Sequence, residues 1–360
     1  MWHKRDDMIV HETDPYNAEP PRSGLHDPIT TPDSFYVRNH GPVPENDPGD
    51  WAVTVDGLVD ESASFTPERL REEFTHHTLT ATMQCAGNRR AGFLPVRDIP
   101  GEDPWGPGAT STAPWTGARL CDVLRSVGVA DGARHVEFTA SDVSDLADPP
   151  QAYGGSIPLA KALSSEVLLA WAMNSEPLPL VHGAPVRVVV PGYVGARSVK
   201  WLRGITVRAD PSENYFQATA YRVLPPEADP DHAGPGDGIT LGSVALNCDI
   251  LSPGEHEHVP GGPVRVTGYA YAGDDRTVAR MDVSGDDGRT WHQAELDAAA
   301  SPWAWQHWEA LVPVTGAGSH VLMARAWDST GACQPESPRA LWNPKGYVNN
   351  SWARVEVTVE

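Results

Sequence analysis

The sequence predicts an α+β protein of two domains, a mixed α/β domain followed by an all-β sandwich. At 360 residues the chain is long enough for two domains with substantial cores. Its 34 prolines and 33 glycines favour strands and irregular connections over helix bundles. Candidate helices occur in the first part only, whereas short alternating strands recur at sandwich spacing in the last part. The predicted boundaries are an N-terminal arm over residues 1–30, a mixed domain over 31–223, a linker over 224–240 and a sandwich over 241–360.

Composition and charge exclude several classes of protein. Hydrophobic residues make up 40% of the chain and 13 residues are tryptophan, which indicates a packed globular protein. The net charge of -21 disfavours nucleic acid and anionic membrane surfaces as partners, because both would be repelled. No stretch has the length of a membrane span, and the N-terminus lacks an apolar run of signal-peptide length, so we expect a cytoplasmic protein. The four cysteines form no CxxC pair, which argues against a zinc ribbon or a dense disulfide framework.

The first polar cluster follows the N-terminal arm. Residues up to about Thr31 are polar and proline-rich and predict an extended arm on the surface. The segment Ser34–Pro42 then alternates aromatic, valine and polar residues, which predicts a short strand that ends at a Gly-Pro turn. This strand would present Arg38, Asn39 and His40 together at its end. Such a cluster could hold an anion, or it could be a solvated loop.

The next elements lead to the cysteine segment. Trp51–Val59 predicts a strand and a tight turn. A helix is predicted to begin after Thr66, because threonine is a favourable cap and Pro67 suits the first helical position. The β-branched run Leu79–Thr82 then predicts a strand that leads towards Cys85.

Cys85 lies in the stretch Met83–Arg90, where this strand would pass into a turn of small residues. A thiol in such a turn can be presented at the mouth of a pocket. Arg89 and Arg90 would favour the thiolate, because nearby cations stabilise the charged form of a cysteine. Thiolate sulfur is a ligand for soft or high-valent metals. The alternative interpretation of a single cysteine is a small buried hydrophobic side chain.

Loops, strands and short helices alternate in the following stretch. A glycine-rich loop is predicted over Trp105–Trp115, and a helix over Leu120–Leu124 from its apolar residues at helical spacing. The alternating run His135–Asp142 predicts a strand that ends in an acid. Leu159–Leu163 predicts a short amphipathic helix, and Val167–Met173 is a buried apolar run.

A second dense polar segment extends over Leu178–Trp201. Its apolar strand, Val186–Val190, is followed by the loop Gly192–Gly195, in which glycines free backbone N–H groups to approach a phosphate closely. The segment therefore predicts a cradle for a phosphorylated ligand, although a single histidine there would more often be structural. Its polar members are His182, Arg187, Ser198 and Lys200.

Alternating strands beyond the linker predict a sandwich of immunoglobulin-like type. The predicted strands are Pro263–Tyr271, Thr277–Ser284, Trp305–Val312, His320–Trp327 and Arg354–Val359.

The hexapeptide Cys-Ala-Gly-Asn-Arg-Arg, from Cys85 to Arg90, resembles the molybdenum-ligating motif of the sulfite oxidase family of molybdopterin enzymes. Five further segments agree with that family in the same order, so the resemblance extends from Phe35 to Trp352. It implies a sulfite oxidase-type molybdopterin-binding domain, followed by an immunoglobulin-like domain through which the chain would form a homodimer.

The resemblance also implies roles for the polar clusters. Cys85 would ligate the metal, and Arg38 would face it. The cofactor would be contacted by Tyr36, Arg38, Asn39, His40, Cys85, Asp142, His182, Arg187, Ser198, Val199 and Lys200. The substrate pocket would contain Arg38, Arg90, Trp105 as an aromatic wall, Tyr221 as a hydroxyl group, and Lys345. By composition alone, Trp105 could equally be packed under a loop, and Tyr215 is the alternative tyrosine.

Lys345 departs from the family pattern. In the segment Trp342–Asn350, animal and plant sulfite oxidases place an arginine at this position, and assimilatory nitrate reductases place a methionine. Lysine keeps the positive charge but loses the planar fork that pairs with two oxygens at once. The lysine therefore favours sulfite over nitrate as the substrate.

The function implied by the resemblance is oxidation of sulfite to sulfate by oxygen-atom transfer at a Cys-ligated molybdenum centre. One alternative is a related oxotransferase that reduces nitrate or a sulfoxide, and another is a cofactor-free binding protein. No heme, flavin or nicotinamide domain fits in the remaining length. We therefore expect molybdopterin without heme, and a separate electron acceptor.

Overall fold

The computed structural model describes residues 2–45 and 48–360. The α-helices are α1 (Pro67–Glu73), α2 (Leu120–Val127) and α3 (Leu159–Ala162). The strands before residue 241 are β1 (Ile9–Thr13), β2 (Tyr16–Glu19), β3 (Val53–Gly57), β4 (Ala63–Phe65), β5 (His76–Gln84), β6 (Thr110–Arg119), β7 (His135–Ser144), β8 (Gln151–Pro158), β9 (Leu168–Met173), β10 (Glu176–Pro177), β11 (Arg187–Val189), β12 (Leu202–Arg208), β13 (Arg222–Val223) and β14 (Ile239–Thr240).

Two five-stranded sheets form the framework of this part. One has the order β10-β9-β6-β5, with β11 also pairing with β9, and the other has the order β4-β3-β12-β7-β8. Pairing is antiparallel except between β3 and β12. Strand β5 pairs with β6 from His76 opposite Ala118 to Gln84 opposite Thr110. Cys85 is therefore held at the end of a long, fully paired strand.

The predicted helices are present and short. Helix α1 begins as expected, because the Thr66 hydroxyl accepts a hydrogen bond from the Arg69 N–H at 3.2 Å and Pro67 needs no such partner. Helix α2 buries one face against the core through Leu120, Val123, Leu124 and Val127.

The last part of the chain is a two-sheet sandwich. Its strands are β15 (Asn247–Ser252), β16 (Glu257–Val259), β17 (Gly262–Tyr271), β18 (Val278–Ser284), β19 (His292–Gln293), β20 (Glu295–Leu296), β21 (Gln306–Val314), β22 (Gly318–Asp328) and β23 (Ala353–Val359). The sheets have the orders β15-β17-β21-β20 and β16-β23-β22-β18-β19. One hydrophobic cluster contains Val266 and Val312 from the first sheet together with Val283 and Val355 from the second, so the two sheets pack face to face.

The segment between β22 and β23 returns to the first part of the chain. The Val348 N–H donates to the Ala86 carbonyl at 2.9 Å, and the Asn349 amide donates to the Arg89 carbonyl at 2.8 Å. The Arg89 guanidinium in turn donates to Asn247 Oδ1 at 2.8 Å and to the Ser351 carbonyl at 2.7 Å. These bonds fasten the end of the chain to the residues that follow Cys85.

Three local predictions were wrong. The N-terminal arm is not confined to the surface, because β1 and β2 form a hairpin in which every residue of Tyr16–Glu19 is buried. The segment Ser34–Pro42 is not a strand, since Val37 makes only a single bridge with Ala18. The predicted loop Trp105–Trp115 ends early, because β6 begins at Thr110. In the described ranges, no helix combines the length and apolar character needed to cross a bilayer.

Candidate active site

A narrow cavity lies beside the end of β5. Every predicted cofactor contact except Val199 lines this cavity, and so does Tyr221. The predicted contacts that line it are Tyr36, Arg38, Asn39, His40, Cys85, Asp142, His182, Arg187, Ser198 and Lys200. These residues come from five separate stretches of the chain, and the two sheets hold them in one place. Val199 is buried away from the cavity, and its carbonyl accepts the Val188 N–H at 2.8 Å.

Cys85 presents its sulfur into this cavity from a turn of small residues. Its N–H donates to the Ala109 carbonyl at 2.8 Å, and the Gly87 N–H approaches Sγ at 3.4 Å. Burial raises the pKa of the Cys85 thiol, and the nearby charges of Arg90 and Arg38 only partly oppose that effect. Arg90 favours the thiolate as the sequence predicted, but desolvation outweighs this effect. Arg89 is directed away and contributes to the interface described above.

Cations line the far side of the cavity. Arg187 donates to the carbonyls of His182 and Ser198, both at 2.8 Å, and burial lowers its pKa to about 10. Lys200 donates to the Val181 carbonyl at 3.1 Å and to the Asn39 side chain. Burial, followed by repulsion from Arg187, lowers the pKa of Lys200 well below its ordinary value. Buried cations that lie close together would be stabilised by an anionic group such as a phosphate.

Two features of the cavity fit a large polar ligand. Asp142 Oδ1 is buried without a hydrogen-bond partner, and burial raises the pKa of this carboxyl to about 6 against the opposing charge of Lys200. A buried polar atom of this kind calls for a partner. A Cβ added to Gly195 would lie 2.6 Å from Tyr36 Oη, so only glycine allows this approach of backbone to side chain.

The donor set for a metal is a single side chain. Within residues 2–45 and 48–360, no three His, Cys, Asp or Glu residues are grouped as they would be in an all-protein metal site. A metal at Cys85 would therefore need further ligands from a cofactor. A thiolate with a cradle of cations and an unpaired carboxyl beside it suits a phosphorylated pterin that brings its own sulfur ligands.

Tyr221 and His40 form a pair at the boundary of the cavity. His40 Nε2 lies 2.6 Å from Tyr221 Oη. Burial lowers the pKa of His40 well below its ordinary value, so the ring is neutral, and burial raises the pKa of the Tyr221 hydroxyl. Tyr215 lines only the outer cleft described next, whereas Tyr221 lines both spaces. Tyr221, unlike the alternative Tyr215, therefore lines the same cavity as Cys85.

A wider cleft of about 550 Å³ leads from solvent to this boundary. Arg38, His40 and Tyr221 line both the cleft and the narrow cavity. Lys345 also lines the cleft, as expected if the end of the chain folds back over the first domain. Burial lowers the pKa of Arg38, but the electrostatic interactions with Tyr221, Asp103, Cys85 and Glu102 outweigh burial and leave that pKa raised.

Two residues predicted for the substrate pocket lie elsewhere. Arg90 is 3% exposed and lines neither space, and its guanidinium is engaged with Glu102 at 3.0 Å and with the carbonyls of Asp103 and Lys345. Trp105 is fully buried and lines neither space, with its ring 4.5 Å from that of His11. Trp105 is therefore packed in the interior and is not a wall of either space. Arg90 acts through the residues it holds.

Some residues of the site were not predicted. Glu102 and Tyr347 line the cleft, and Lys4 contacts His182 Nε2 at 2.8 Å behind the cavity. Lys4 belongs to the N-terminal segment that was predicted to lie on the surface, and the sequence around it does not indicate a position near His182. Glu102 could have been suspected only from its closeness to the Cys85 motif.

Profiles of two domain families match the chain, the oxidoreductase molybdopterin binding domain over residues 40–216 and the Mo-co oxidoreductase dimerisation domain over residues 240–360. The chain is 42% identical over 358 residues to a sulfite oxidase of Gallus gallus, with 96% of this chain and 77% of that relative covered. A mitochondrial sulfite oxidase of Mus musculus is 40% identical over 364 residues, covering 98% of this chain and 66% of the relative. An NAD(P)H nitrate reductase of Hordeum vulgare is 39% identical over 385 residues, covering 99% of this chain and 43% of the relative.

The fold has a counterpart among solved structures. The sulfane dehydrogenase SoxCD of Paracoccus pantotrophus aligns with a TM-score of 0.81 at 25% identity, covering 98% of this chain and 88% of that chain.

Proposed function

This chain belongs to the molybdopterin-binding oxidoreductases of the sulfite oxidase family, and we propose on that premise that it oxidises sulfite to sulfate. The observation that carries the proposal is that Arg38 and Tyr221, which line the narrow cavity together with Cys85, also line the open cleft. These three residues offer a metal ligand, a cation and a hydroxyl group to a small oxyanion arriving from solvent.

The residues of the cavity would hold molybdopterin. Cys85 would ligate the molybdenum, and the bound cation would supply the stabilisation that the thiolate lacks in its buried turn. Arg187 and Lys200 would bind the phosphate, while Asp142 would accept a hydrogen bond from the pterin through its unpaired oxygen. When bound, the group supplies the two-electron redox chemistry of oxygen-atom transfer.

The residues of the cleft would position the substrate. Arg38 keeps its charge throughout the physiological range and would orient the anion at the boundary of the cavity. The Tyr221 hydroxyl, held by the neutral His40 ring, would donate a hydrogen bond to a substrate oxygen. Lys345 would add a second positive charge at the cleft wall. Two electrons would then pass to a separate acceptor.

The sandwich would serve as an immunoglobulin-like homodimerisation domain. Support comes from its two facing sheets and from the match of residues 240–360 to a dimerisation domain. Sedimentation of the purified protein at micromolar concentration should give the mass of a dimer.

Metal analysis combined with turnover tests the proposed activity. Protein expressed with an intact cofactor pathway should carry about one molybdenum per chain and reduce ferricyanide when sulfite is added. Molybdenum without sulfite turnover would leave the family in place and overturn the substrate. Protein without molybdenum would favour the cofactor-free binding protein instead.

Nitrate reduction is the second candidate function. One observation favours keeping it, the 39% identity to the Hordeum vulgare nitrate reductase. Nitrate-dependent oxidation of a reduced viologen dye, measured beside sulfite oxidation on the same preparation, separates the two. The same assay with a sulfoxide in place of nitrate tests whether the protein is a sulfoxide-reducing oxotransferase.

A further inference from the structure

One carboxylate at the cleft pairs with two cations, Lys345 at the cleft wall and the buried Arg90 behind it. Glu102 Oε2 lies 3.0 Å from Arg90 Nη2, and Glu102 Oε1 lies 3.4 Å from Lys345 Nζ. Each oxygen of the same carboxylate therefore serves one cation. Glu102 and Lys345 both line the cleft, whereas Arg90 lies behind them.

Arg90 holds this arrangement rigidly. Its Nε donates to the Lys345 carbonyl at 3.0 Å, and its Nη1 donates to the Asp103 carbonyl at 2.8 Å. All three guanidinium nitrogens of Arg90 therefore have protein partners, so Arg90 does not offer two parallel N–H groups to an anion in the cleft. Glu102 remains next to Lys345 when a substrate arrives.

The charge of Glu102 has a consequence for the anions that enter. A fixed negative charge repels a dianion about twice as strongly as a monoanion, since the Coulomb energy is proportional to the charge of each partner. Hydrogensulfite is a monoanion and sulfite a dianion, whereas the product sulfate is a dianion at neutral pH. A carboxylate beside the cationic wall therefore penalises the product more than the mixture of substrate forms.

We propose that Glu102 is a specificity residue that lowers the affinity of the cleft for dianions and so favours release of sulfate over retention of it. This proposal rests on the proposed function. Lys345 attracts any oxyanion, and Glu102 subtracts from that attraction in proportion to the charge of the anion. Discrimination by an added repulsive element is a general route to specificity.

The test removes the charge of Glu102 and measures anions of different charge. For the molybdenum-loaded Glu102→Gln variant, sulfate should inhibit sulfite oxidation at about one tenth of the wild-type concentration, corresponding to about 1.4 kcal/mol. Inhibition by chloride, a monoanion, should strengthen by about threefold at most. KM for sulfite should fall by a smaller factor than the inhibition constant of sulfate. All measurements are made at one pH and one ionic strength, because salt screens these charges.

Asp145→Asn is the matched control. Asp145 lines the same cleft and is exposed, and the described structure shows no ion pair between it and Lys345 or Arg90. This variant removes the same charge and should leave the ratio of sulfate inhibition to chloride inhibition within about twofold of wild type.

Weaker sulfate inhibition in Glu102→Gln than in wild type would overturn the proposal. If Glu102 only positions Lys345, Glu102→Gln will weaken inhibition by sulfate and by chloride to the same extent and will raise KM for sulfite. An unchanged ratio would also contradict a role in discrimination. Sulfate binding to wild type and Glu102→Gln, measured by calorimetry, gives the same comparison without turnover. A wild type that contains molybdenum but does not oxidise sulfite would overturn the proposed substrate, and the calorimetric comparison of sulfate binding would still decide the role of Glu102.

Discussion

At the residue scale, the sulfur of Cys85 is the one group that no other described side chain can replace. Cys85→Ser should remove sulfite oxidation below detection, because an alcohol is a harder and far less acidic ligand than a thiol. The free energy of unfolding should change by less than about 1 kcal/mol, since the two side chains are nearly isosteric. Ferricyanide reduction and chemical unfolding of the same preparation measure the two quantities.

The other three cysteines provide controls for this substitution. Cys121 and Cys248 are buried in packed regions and Cys333 is exposed, and none lines the cavity. Cys121→Ser, Cys248→Ser and Cys333→Ser should each retain most of the activity. A Cys85→Ser enzyme as active as these controls would contradict metal ligation by Cys85.

Lys345 supplies a second prediction for a single residue. Lys345→Met leaves the Glu102 carboxylate without its cation at the cleft, so KM for sulfite should rise at least about tenfold, or about 1.4 kcal/mol, and sulfate inhibition should weaken. Lys345→Arg keeps the charge and restores a fork, so it should keep KM near wild type or lower it. Steady-state kinetics at constant ionic strength checks both. Unchanged KM and unchanged sulfate inhibition in Lys345→Met would identify a surface lysine with no part in binding.

Several predicted site residues that line the narrow cavity share one property. Cys85, His182 and Lys200 lie in dense local segments, where several polar residues accompany glycines within a few positions. The location of Arg90 was not predictable in this way, because the acceptors that engage it come from distant residues such as Glu102 and Lys345. A motif identifies residue types, whereas long-range partners decide which way a side chain is directed.

At the scale of elements, the N-terminal segment carries a buried amine. Lys4 Nζ donates to the carbonyls of Pro32 at 2.5 Å and Phe35 at 2.8 Å, and burial lowers its pKa from the usual 10.5 to about 7. Between these two values the unfolded chain binds a proton that the folded chain does not. Stability contributed at this position therefore rises as the pH rises from 7 towards 10.5.

This titration gives a prediction for Lys4→Met. The difference in thermal midpoint, wild type minus variant, should become more positive between pH 7 and pH 9, because the methionine has no proton to release. Scanning calorimetry of both proteins at the two pH values measures it. A difference that does not change with pH would show that the amine is not desolvated as the contacts indicate.

The hairpin of β1 and β2 supports the loop before β6 through one carboxylate. Glu19 accepts hydrogen bonds from the N–H groups of Gly106 at 2.6 Å and Gly108 at 2.8 Å, and it is 1% exposed. Glu19→Ala leaves both donors buried without a partner, so the free energy of unfolding should fall by about 2 to 4 kcal/mol. Glu19→Gln keeps one acceptor oxygen and should lose less. Urea unfolding measures both, and equal losses would indicate that packing rather than hydrogen bonding dominates.

The prediction of elements succeeded where pairing follows the local pattern. All five strands predicted for the sandwich are present, because alternation of apolar and polar residues reports burial on one face. Strand β2 was missed, since its burial depends on Val37 and Asn39, which lie about twenty positions away. Burial created by distant segments leaves no periodic signal in the segment itself.

At the scale of the whole molecule, Arg89 connects the two parts of the chain. It donates to Asn247 Oδ1, to the Ser351 carbonyl and, at 3.3 Å, to the Trp352 carbonyl. Arg89→Met removes these charge-assisted bonds and should lower the free energy of unfolding by about 2 to 4 kcal/mol. KM for sulfite should also rise at unchanged molybdenum content, because Lys345 lies on the same returning segment.

Arg71→Met is the control for that substitution. Arg71 is exposed on α1, pairs with Glu68 at 3.8 Å and has its guanidinium 5.7 Å from the centre of the Trp171 ring, so its loss should change stability by less than about 1 kcal/mol. If Arg89→Met weakened stability and left KM unchanged, the position of Lys345 would be independent of the connection.

The return of the C-terminal segment also has a consequence in time. Every residue that lines the narrow cavity precedes residue 222, whereas Lys345 is added to the growing chain much later. A nascent chain thus possesses the full set of cofactor contacts long before it possesses the complete substrate cleft. A chain released between residues 222 and 345 would carry the residues of the narrow cavity without the cation that Lys345 adds to the cleft.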